Sequence, residues 1–397
     1  MSVSSTAAHT EEARRGLCAK MVARDPNESH RAATPLELFF DLVFVVAIAQ
    51  AASGLHHAIA EGHTGDGLVG YAMVFFAIWW AWMNFTWFAS AYDCDDVLYR
   101  LAVFVQISGA LMLAAGVPRM FETRTANAAV LGGYVVMRLA LVAQWLRASR
   151  DDPERRATAR RYAYGIAVTQ LAWVALVLWG GDWWLPGFLC LAACELSVPI
   201  WAERAGATPW HSHHIAERYG LMTIIVLGES VLAASVAIES AIASGEALSL
   251  LAPVIVGGLL IVYSMWWLYF HRPVHDLLTD SRKAFVWGYG HFLVFMAAAA
   301  VGAGLAVGVD TATHHSEISS AAAGGAVAVP VALYLISLLF LHDRPEYGRA
   351  RILAPVAAGL VLLIPLTPLA GYAVLANGVV LVLLVGWKLF FMSGAVE

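Results

Sequence analysis

Charged residues are scarce in this chain, at 13% of its 397 residues, against about 25% in a typical soluble domain. So few charges cannot cover the water-facing surface of a globular protein of this length, which argues against a soluble fold. Hydrophobic residues make up 60%. They form recurrent apolar runs of about 20 residues, each long enough to span a bilayer as a helix. The runs lack the alternation of a transmembrane β-barrel. The sequence therefore predicts an all-α, polytopic membrane protein.

Cysteines and catalytic motifs are also scarce. The 4 cysteines show neither metal-ligand spacing nor the pattern of a disulfide framework. The chain has no phosphate loop, dinucleotide fingerprint, nucleophile elbow or HExxH motif, so we expect no cofactor and no metal, and the sequence favours a protein that is not an enzyme. Basic residues follow membrane topology rather than forming a patch, so no nucleic-acid partner is expected.

The apolar runs predict twelve transmembrane helices with both termini in the cytoplasm. This orientation puts most of the 24 basic residues on the cytoplasmic side, as the positive-inside rule requires. A miscounted span would reverse that asymmetry in every later loop, so the charges support an even number of spans. The predicted spans are 36–55, 68–91, 99–117, 127–147, 161–179, 183–203, 216–238, 248–270, 284–308, 320–341, 351–371 and 374–391.

Two parts of the chain resemble each other. PLELFFDLVFVVAIAQAA aligns Glu37 with Glu217 of AERYGLMTIIVLGESVLAA, and Trp87 aligns with Trp267 at the same separation. Each part holds six predicted spans, and an even number returns the chain to the same side, so the repeats are predicted to have the same orientation. The predicted domains are a mostly disordered cytoplasmic tail at 1–33 and six-helix repeats at 34–204 and 205–397.

Three motifs carry a resemblance to a known family. TPLELFFDLVFVVAIAQ, WFASAYDCDDVLYRL and HHIAERYGLMTIIVLGES resemble, in that order, the bacterial low-temperature-requirement A (LtrA) family. The resemblance implies a polytopic protein of the bacterial inner membrane and leaves the mechanism open, because the family name records a growth phenotype. Phe40-Asp41 also looks like the Phe-Ser-Asp signature of potassium channels built from six-helix repeats, although Phe40 stands where that signature has Ser.

Several acids lie inside the predicted spans. Glu37 and Asp41 are four residues apart in the first span and share a helix face. Glu229 lies about 18 Å beyond Glu217, near the middle of the bilayer. A charge there costs about 2.5 kcal/mol or more, so ionisable residues at that depth usually mark function. We expect Asp41 and Glu229 to carry a transport or proton-coupling site, whereas Glu37 and Glu217 also fit a structural role at helix N-termini.

Other polar residues complete the candidate site. Arg138, in the middle of the fourth span, needs a carboxylate or carbonyl partner. The candidate partners are Asp41, Glu195 and Glu229. His291, in the ninth span, fits a hydrogen-bonded core residue or a proton relay. Gln50 supplies a further polar group in the first span.

A cytoplasmic turn follows the second span, at YDCDDVLYR. Asp93 and Asp96 are predicted to cap the next helix, and Arg100 to form a local ion pair with Asp96. Arg282 occupies the equivalent turn of the second repeat, so we expect structural turns there rather than metal sites. The histidines at 56–63, 211–214 and 314–315 lack a fixed ligand spacing and are predicted to be solvated.

These observations predict a membrane protein that transports a small solute or ion, coupled to protons through Asp41 and Glu229, with Arg138 as their counter-charge. Two alternatives stay open: a passive cation channel along the axis between the repeats, and an intramembrane enzyme acting on a lipid or isoprenoid. Stoichiometric proton coupling would separate carrier from channel, and turnover in detergent would indicate the enzyme. The partners are the lipid bilayer and the solute, and a homo-oligomer is left open.

Overall fold

The fold is entirely helical in the residues that the computed structural model describes, which are 16–26, 28, 31–123, 127–342 and 350–393. These residues form twelve α-helices and no strand, which confirms the predicted fold class. The helices are α1 (Pro35–Ala60), α2 (Thr64–Tyr92), α3 (Val97–Thr123), α4 (Ala128–Asp151), α5 (Arg156–Trp179), α6 (Trp184–Glu203), α7 (Ser212–Ala243), α8 (Leu248–Phe270), α9 (Ser281–Ala312), α10 (Ser320–Leu341), α11 (Ala350–Leu363) and α12 (Ala373–Ser393).

The helix boundaries follow local sequence signals. Asn127 precedes α4, and its side-chain oxygen accepts hydrogen bonds from the backbone of Ala129 and Val130. Asp280 caps α9 in the same way through the backbone N–H of Lys283. Such caps satisfy donors that the first turn of a helix leaves unpaired. In the bilayer, where water cannot replace these bonds, helices are the natural conformation for the intervening apolar runs.

Eleven of the twelve predicted spans are helices long and apolar enough to cross a membrane, within the residues described. The predicted span 351–371 is shorter. Its helix α11 has 14 residues and is followed by a 3₁₀ turn at Ile364–Leu366. Pro365 explains the change, because a proline inside an α-helix removes a backbone hydrogen bond and clashes with the preceding turn.

The chain divides into two compact units. Unit 1 comprises Met1–Ala47 and Ala77–Arg218, and unit 2 comprises Ile48–Phe76 and Tyr219–Glu397. Helices α1 and α7 therefore contribute their N-terminal parts to unit 1 and their C-terminal parts to unit 2. The predicted pairing of two six-helix repeats remains a prediction.

Unit 1 is built around a succession of neighbouring helices, α3 to α6, each packed against the next. Helices α3 and α4 approach closely at Gly109 and Gly133. A Cβ atom at Gly133 would lie 2.5 Å from the backbone nitrogen of Leu113. Small residues at such contacts are common in membrane proteins because they let backbones approach and gain dispersion contacts.

Part of the predicted N-terminal tail packs on unit 1. Met21 is fully buried, and its backbone N–H donates to the carboxylate of Asp151 at 2.9 Å. The guanidinium of Arg31 is also buried and donates to the backbone oxygens of Ala89 and Ser90. These contacts place residues on both sides of position 28 against the cytoplasmic ends that were predicted for α2 and α4. Residues 1–15, 27, 29 and 30 of the predicted tail lie outside the described residues.

Unit 2 has α9 at its centre. This helix is rich in alanine and glycine, and 78% of its most apolar stretch of 18 residues is buried inside the protein. Helices α9 and α10 approach closely at Gly304, since a Cβ atom there would lie 2.8 Å from the carbonyl carbon of Ala326 in α10. Helices α8 and α12 pack together in the same unit.

Candidate functional site

Glu37 and Asp41 share one buried cation in unit 1. Arg218 Nε lies 2.8 Å from Asp41 Oδ2, and Arg218 Nη2 lies 2.5 Å from Asp41 Oδ1. Its third nitrogen, Nη1, lies 3.0 Å from Glu37 Oε1. All three side chains have at most 1% of their surface exposed. Arg218 therefore neutralises part of the charge of both predicted acids.

Neighbouring polar groups complete this cluster. His214, one helical turn before Arg218, places Nε2 at 3.1 Å from Glu37 Oε1. Trp82 Nε1 donates to Asp41 Oδ1 at 2.7 Å. The cluster thus joins an acid pair on α1 to a basic pair on α7, each with a spacing of four residues that brings both members to one helix face.

A second buried ion pair in unit 1 joins Arg138 of α4 to Glu195 of α6, and both side chains are 1% exposed. The carboxylate of Glu195 also accepts hydrogen bonds from Trp80 Nε1 at 2.7 Å and from Trp173 Nε1 at 3.2 Å. Arg138 therefore has one of its three predicted partners. Its prediction as the counter-charge of Asp41 and Glu229 is wrong, because Arg138 pairs with Glu195 and Arg218 pairs with Asp41.

Removing one member of either cluster would leave a buried charge uncompensated, which is far more costly than losing a surface pair. The Arg138–Glu195 pair is balanced one to one, whereas the first cluster has two carboxylates for one guanidinium. The clusters hold α1 to α7 and α4 to α6. Glu217, by contrast, is exposed and accepts a hydrogen bond from the backbone of Ala33 at 3.2 Å. Glu217 is the sixth residue of α7, beyond its first turn, so its predicted position at a helix N-terminus is wrong.

The turn between α2 and α3 has different pairs from those predicted. Arg100 pairs with Asp95 at 2.8 Å rather than with Asp96. Asp96 instead pairs with Arg147 and accepts a hydrogen bond from the backbone N–H of Tyr99 at 2.8 Å, so it caps α3. Hydrogen bonds from Arg147 and the backbone outweigh burial and lower the pKa of Asp96.

Asp93 lies in the same turn but in a different electrostatic environment. Its side chain lies 3.5 Å from Arg24 Nη1, at the limit of a hydrogen bond. Burial, together with the negative charge of Glu37, raises the pKa of Asp93 to about 6, against the opposing effect of Arg31 and Arg24. Arg282 lies in the first turn of α9, two residues after its cap Asp280.

Unit 2 contains a partly open cavity of about 570 Å³. Its walls come from the C-terminal halves of α1 and α7 and the C-terminal end of α9. Glu229 lines the cavity from the middle of α7, and Gln50 lines it from the middle of α1. Towards the helix ends, His56 Nε2 of α1 lies 2.6 Å from Asp310 Oδ2 of α9.

Glu229 has no counter-charge among the residues that the structure describes. Its side chain is 6% exposed, and it forms no hydrogen bond or ion pair with any residue that the structure describes. This differs from Glu37, Asp41 and Glu195, which each have a cation within contact distance. Glu229 is therefore a buried acid whose carboxylate faces a cavity and is not paired with a described side chain.

His291 lies in the core of unit 2 and is fully buried. Its Nε2 lies 3.0 Å from the hydroxyl of Tyr269, and its Nδ1 lies 2.7 Å from the backbone oxygen of Trp287. Rings of Tyr219 and Phe295 pack around it. These contacts fit the hydrogen-bonded core residue that the sequence suggested, while the relay remains a prediction.

Sequence reasoning missed four residues of these sites. His214 and His56 were predicted to be solvated, and Arg218 and Asp310 were not among the predicted site residues. The structure shows that His214 and Arg218 are fully buried and that His56 pairs with Asp310. The spacing of His214 and Arg218, which matches that of Glu37 and Asp41, is a signal that could have found the first cluster. No comparable signal links His56 to Asp310, which are 254 residues apart.

Among the described residues, no group of three or more His, Cys, Asp or Glu side chains is arranged to hold a metal ion.

Comparisons with known proteins support the architecture. The model of the family described as "Bacterial low temperature requirement A protein (LtrA)" matches residues 32–388. An uncharacterized protein of Rhizobium meliloti (strain 1021) is 26% identical over 294 residues, which cover 68% of this chain and 67% of that protein. No solved structure shows significant similarity to the chain.

Proposed function

We propose that this chain, which belongs to the bacterial low temperature requirement A (LtrA) family of membrane proteins, moves a small solute or ion across the membrane in exchange with protons bound at Glu229. The observation that carries this proposal is the unpartnered carboxylate of Glu229 at the wall of a 570 Å³ cavity. Pockets of about 300–1,000 Å³ are typical of small-molecule sites.

The chemistry of a buried acid explains why it suits a carrier. An isolated carboxylate in a low-dielectric environment is costly, so it needs either a proton or a cation. Since no described side chain supplies that cation, the partner of Glu229 comes from outside the protein. Exchange of one partner for the other at a single carboxylate links proton movement to solute movement.

The clusters of unit 1 have a supporting role in this proposal. Asp41 and Glu37 share the guanidinium of Arg218, and Glu195 is paired with Arg138, so each of these acids already has a cation within contact distance. Arg218 fixes α7 against α1, the two helices whose later residues line the cavity. The predicted coupling role of Asp41 thus becomes a positioning role.

Flux measurements on proteoliposomes test the proposal. Pyranine trapped inside would report proton movement after the external addition of tetramethylammonium chloride, potassium chloride, sodium gluconate or glycerol. We expect proton movement into or out of wild-type proteoliposomes to exceed that of empty liposomes for at least one solute. In Glu229→Gln proteoliposomes, proton movement should fall to the level of empty liposomes. Glu239→Gln is the matched control, because Glu239 is an exposed acid on the same helix, outside the cavity lining.

Two results would contradict the proposal. One is solute-dependent proton movement of wild-type size in Glu229→Gln, which would make that carboxylate structural. The other is proton movement in wild-type proteoliposomes that equals that of empty liposomes for every solute. Flux of a solute without proton movement would favour the channel instead.

A further inference from the structure

The charges around the cavity favour one class of solute. Its acids are Glu229 and Asp310, and its described lining contains no lysine or arginine. Asp310 is engaged by His56 at 2.6 Å, which leaves Glu229 as the unpaired charge of this lining. The fixed charges therefore attract a cation to Glu229 and offer no permanent positive partner for an anion.

Part of the rest of the wall is apolar, and part is polar, since it also includes Ser53, His57, Ser240, Ser244, Thr313 and His315. Alanines from α1, α7 and α9 line it, among them Ala52, Ala237 and Ala303. Leu232 and Val236 belong to the lining and are 56% and 57% exposed, although both lie on a helix that is apolar enough to span the membrane. This apolar part of the wall makes favourable contact with hydrocarbon, so it suits the apolar body of a solute.

A bare metal cation fits this lining poorly. Hard cations such as Ca²⁺ take 6–8 oxygen ligands, and Mg²⁺ takes about six. In the part of the chain that the structure describes, no group of three or more His, Cys, Asp or Glu side chains is placed to hold a metal ion. Gln50 lines the cavity from a position in α1 similar to that of Glu229 in α7. An ammonium group needs fewer acceptors, and a carboxylate with an amide oxygen supplies them.

We propose that the solute is a small organic ammonium ion with an apolar body, bound with its charged nitrogen on Glu229 and its body along the alanine wall. This inference rests on the proposed function, whose site it fills. The N–H groups of the ligand donate to the Glu229 carboxylate and to the side-chain oxygen of Gln50. When the ammonium leaves, a proton takes its place, so one positive charge is exchanged for another.

Equilibrium binding to the full chain in lipid nanodiscs tests this inference. The probe is tritiated 4-phenylbutylamine, with unlabelled 4-phenylbutylamine, methylamine, tetramethylammonium, 4-phenylbutanol and 4-phenylbutyrate as competitors. We expect saturable binding that the phenylbutylamine displaces and that the alcohol and the carboxylate of the same skeleton do not. Methylamine, which lacks the apolar body, should compete at least about tenfold more weakly, since burial of each CH₂ contributes about 0.8 kcal/mol.

Variants separate charge recognition from general partitioning into lipid. Glu229→Gln should weaken binding at least about tenfold, because hydrogen bonds to charged groups contribute about 1.5–3 kcal/mol. Glu239→Gln should bind as wild type does, and size-exclusion profiles of both variants would show that they remain folded. Equal competition by 4-phenylbutyrate, unchanged binding in Glu229→Gln, or no saturable binding of the amine would overturn the inference.

The outcome is distinguishable from that of the proposed function. Proton flux that depends on Glu229, without saturable amine binding, would leave the carrier in place and remove this solute class. Amine binding that depends on Glu229, without any proton flux, would retain the ligand site and remove the carrier.

Discussion

Arg218 is a buried guanidinium that two carboxylates of unit 1 share. It contacts Asp41 through two nitrogens and Glu37 through the third, with all three residues withdrawn from solvent. Each contact is an ordinary ion pair. Together they make the protonation and packing of both acids depend on one guanidinium.

Replacing Arg218 with alanine should lower the free energy of unfolding by about 3–5 kcal/mol, because two buried carboxylates lose their cation. Thermal unfolding of the purified protein in detergent, followed by size-exclusion chromatography with fluorescence detection, would measure this. Glu217→Ala is the matched control at the adjacent, exposed position. A melting temperature of Arg218→Ala equal to that of the control would show that the cluster contributes little to stability.

Asp93 provides a prediction of pH dependence. Its pKa of about 6 in the folded protein lies above the value of about 3.9 in an unfolded chain. The folded state thus binds the proton more tightly, so stability rises as the pH falls through 6. Between pH 7 and pH 5 the wild type should gain about 1 kcal/mol relative to Asp93→Asn.

Melting temperatures of both proteins across that range would check the sign. The variant lacks the Asp93 carboxyl but keeps the other titratable residues around this turn, including Asp95 and Glu37. It is therefore the reference against which the pH dependence of the wild type is compared. A difference that stays constant between pH 5 and pH 7, or that grows as the pH rises, would show that the Asp93 carboxyl is not the titrating group.

At the scale of elements, the contact of α3 with α4 depends on the absence of a side chain at one position. Gly133 faces the backbone of α3, whereas a Cβ atom on its neighbour Gly132 would meet Met112 Cε at an ordinary 3.5 Å. The two glycines lie on the same helix at almost the same level. They therefore form a natural pair for testing how much close approach contributes.

Gly133→Ala should destabilise the protein by about 1–3 kcal/mol, because the new methyl group forces the two backbones apart. Gly132→Ala should be neutral or slightly stabilising, since alanine loses less backbone entropy on folding than glycine. Unfolding temperatures in the same detergent compare them. Equal effects of the two substitutions would show that the helices separate without cost.

The elements were largely predictable from the sequence, and their side-chain pairings were not. Long apolar runs determine helices in lipid, so eleven spans have the predicted character. The shortened eleventh span reflects Pro365, and the effect of a single proline is not captured by average hydropathy. Asp41 was predicted as a buried acid from its depth, but its partner Arg218 is 177 residues away. Such a pair depends on which faces of α1 and α7 meet.

At the scale of the whole molecule, orientation in the membrane is a prediction from the basic residues. It can be tested in a variant whose native cysteines are replaced by serine. A cysteine at His63, between α1 and α2, should react with an impermeant maleimide added to intact cells, and one at Ala157, in the first turn of α5, should not. Both positions are exposed. The reverse labelling pattern would invert the assigned topology.

The long separation between Asp41 and Arg218 also has a consequence for biosynthesis. Ribosomes add about 5–20 residues per second, so Arg218 emerges about 9–35 s after Asp41. During that interval the first helix enters the translocon with both acids and without the guanidinium that later holds them. Insertion of α7 therefore completes a charge balance begun by α1, and a ribosome stalled before residue 218 would leave a nascent chain with both acids uncompensated.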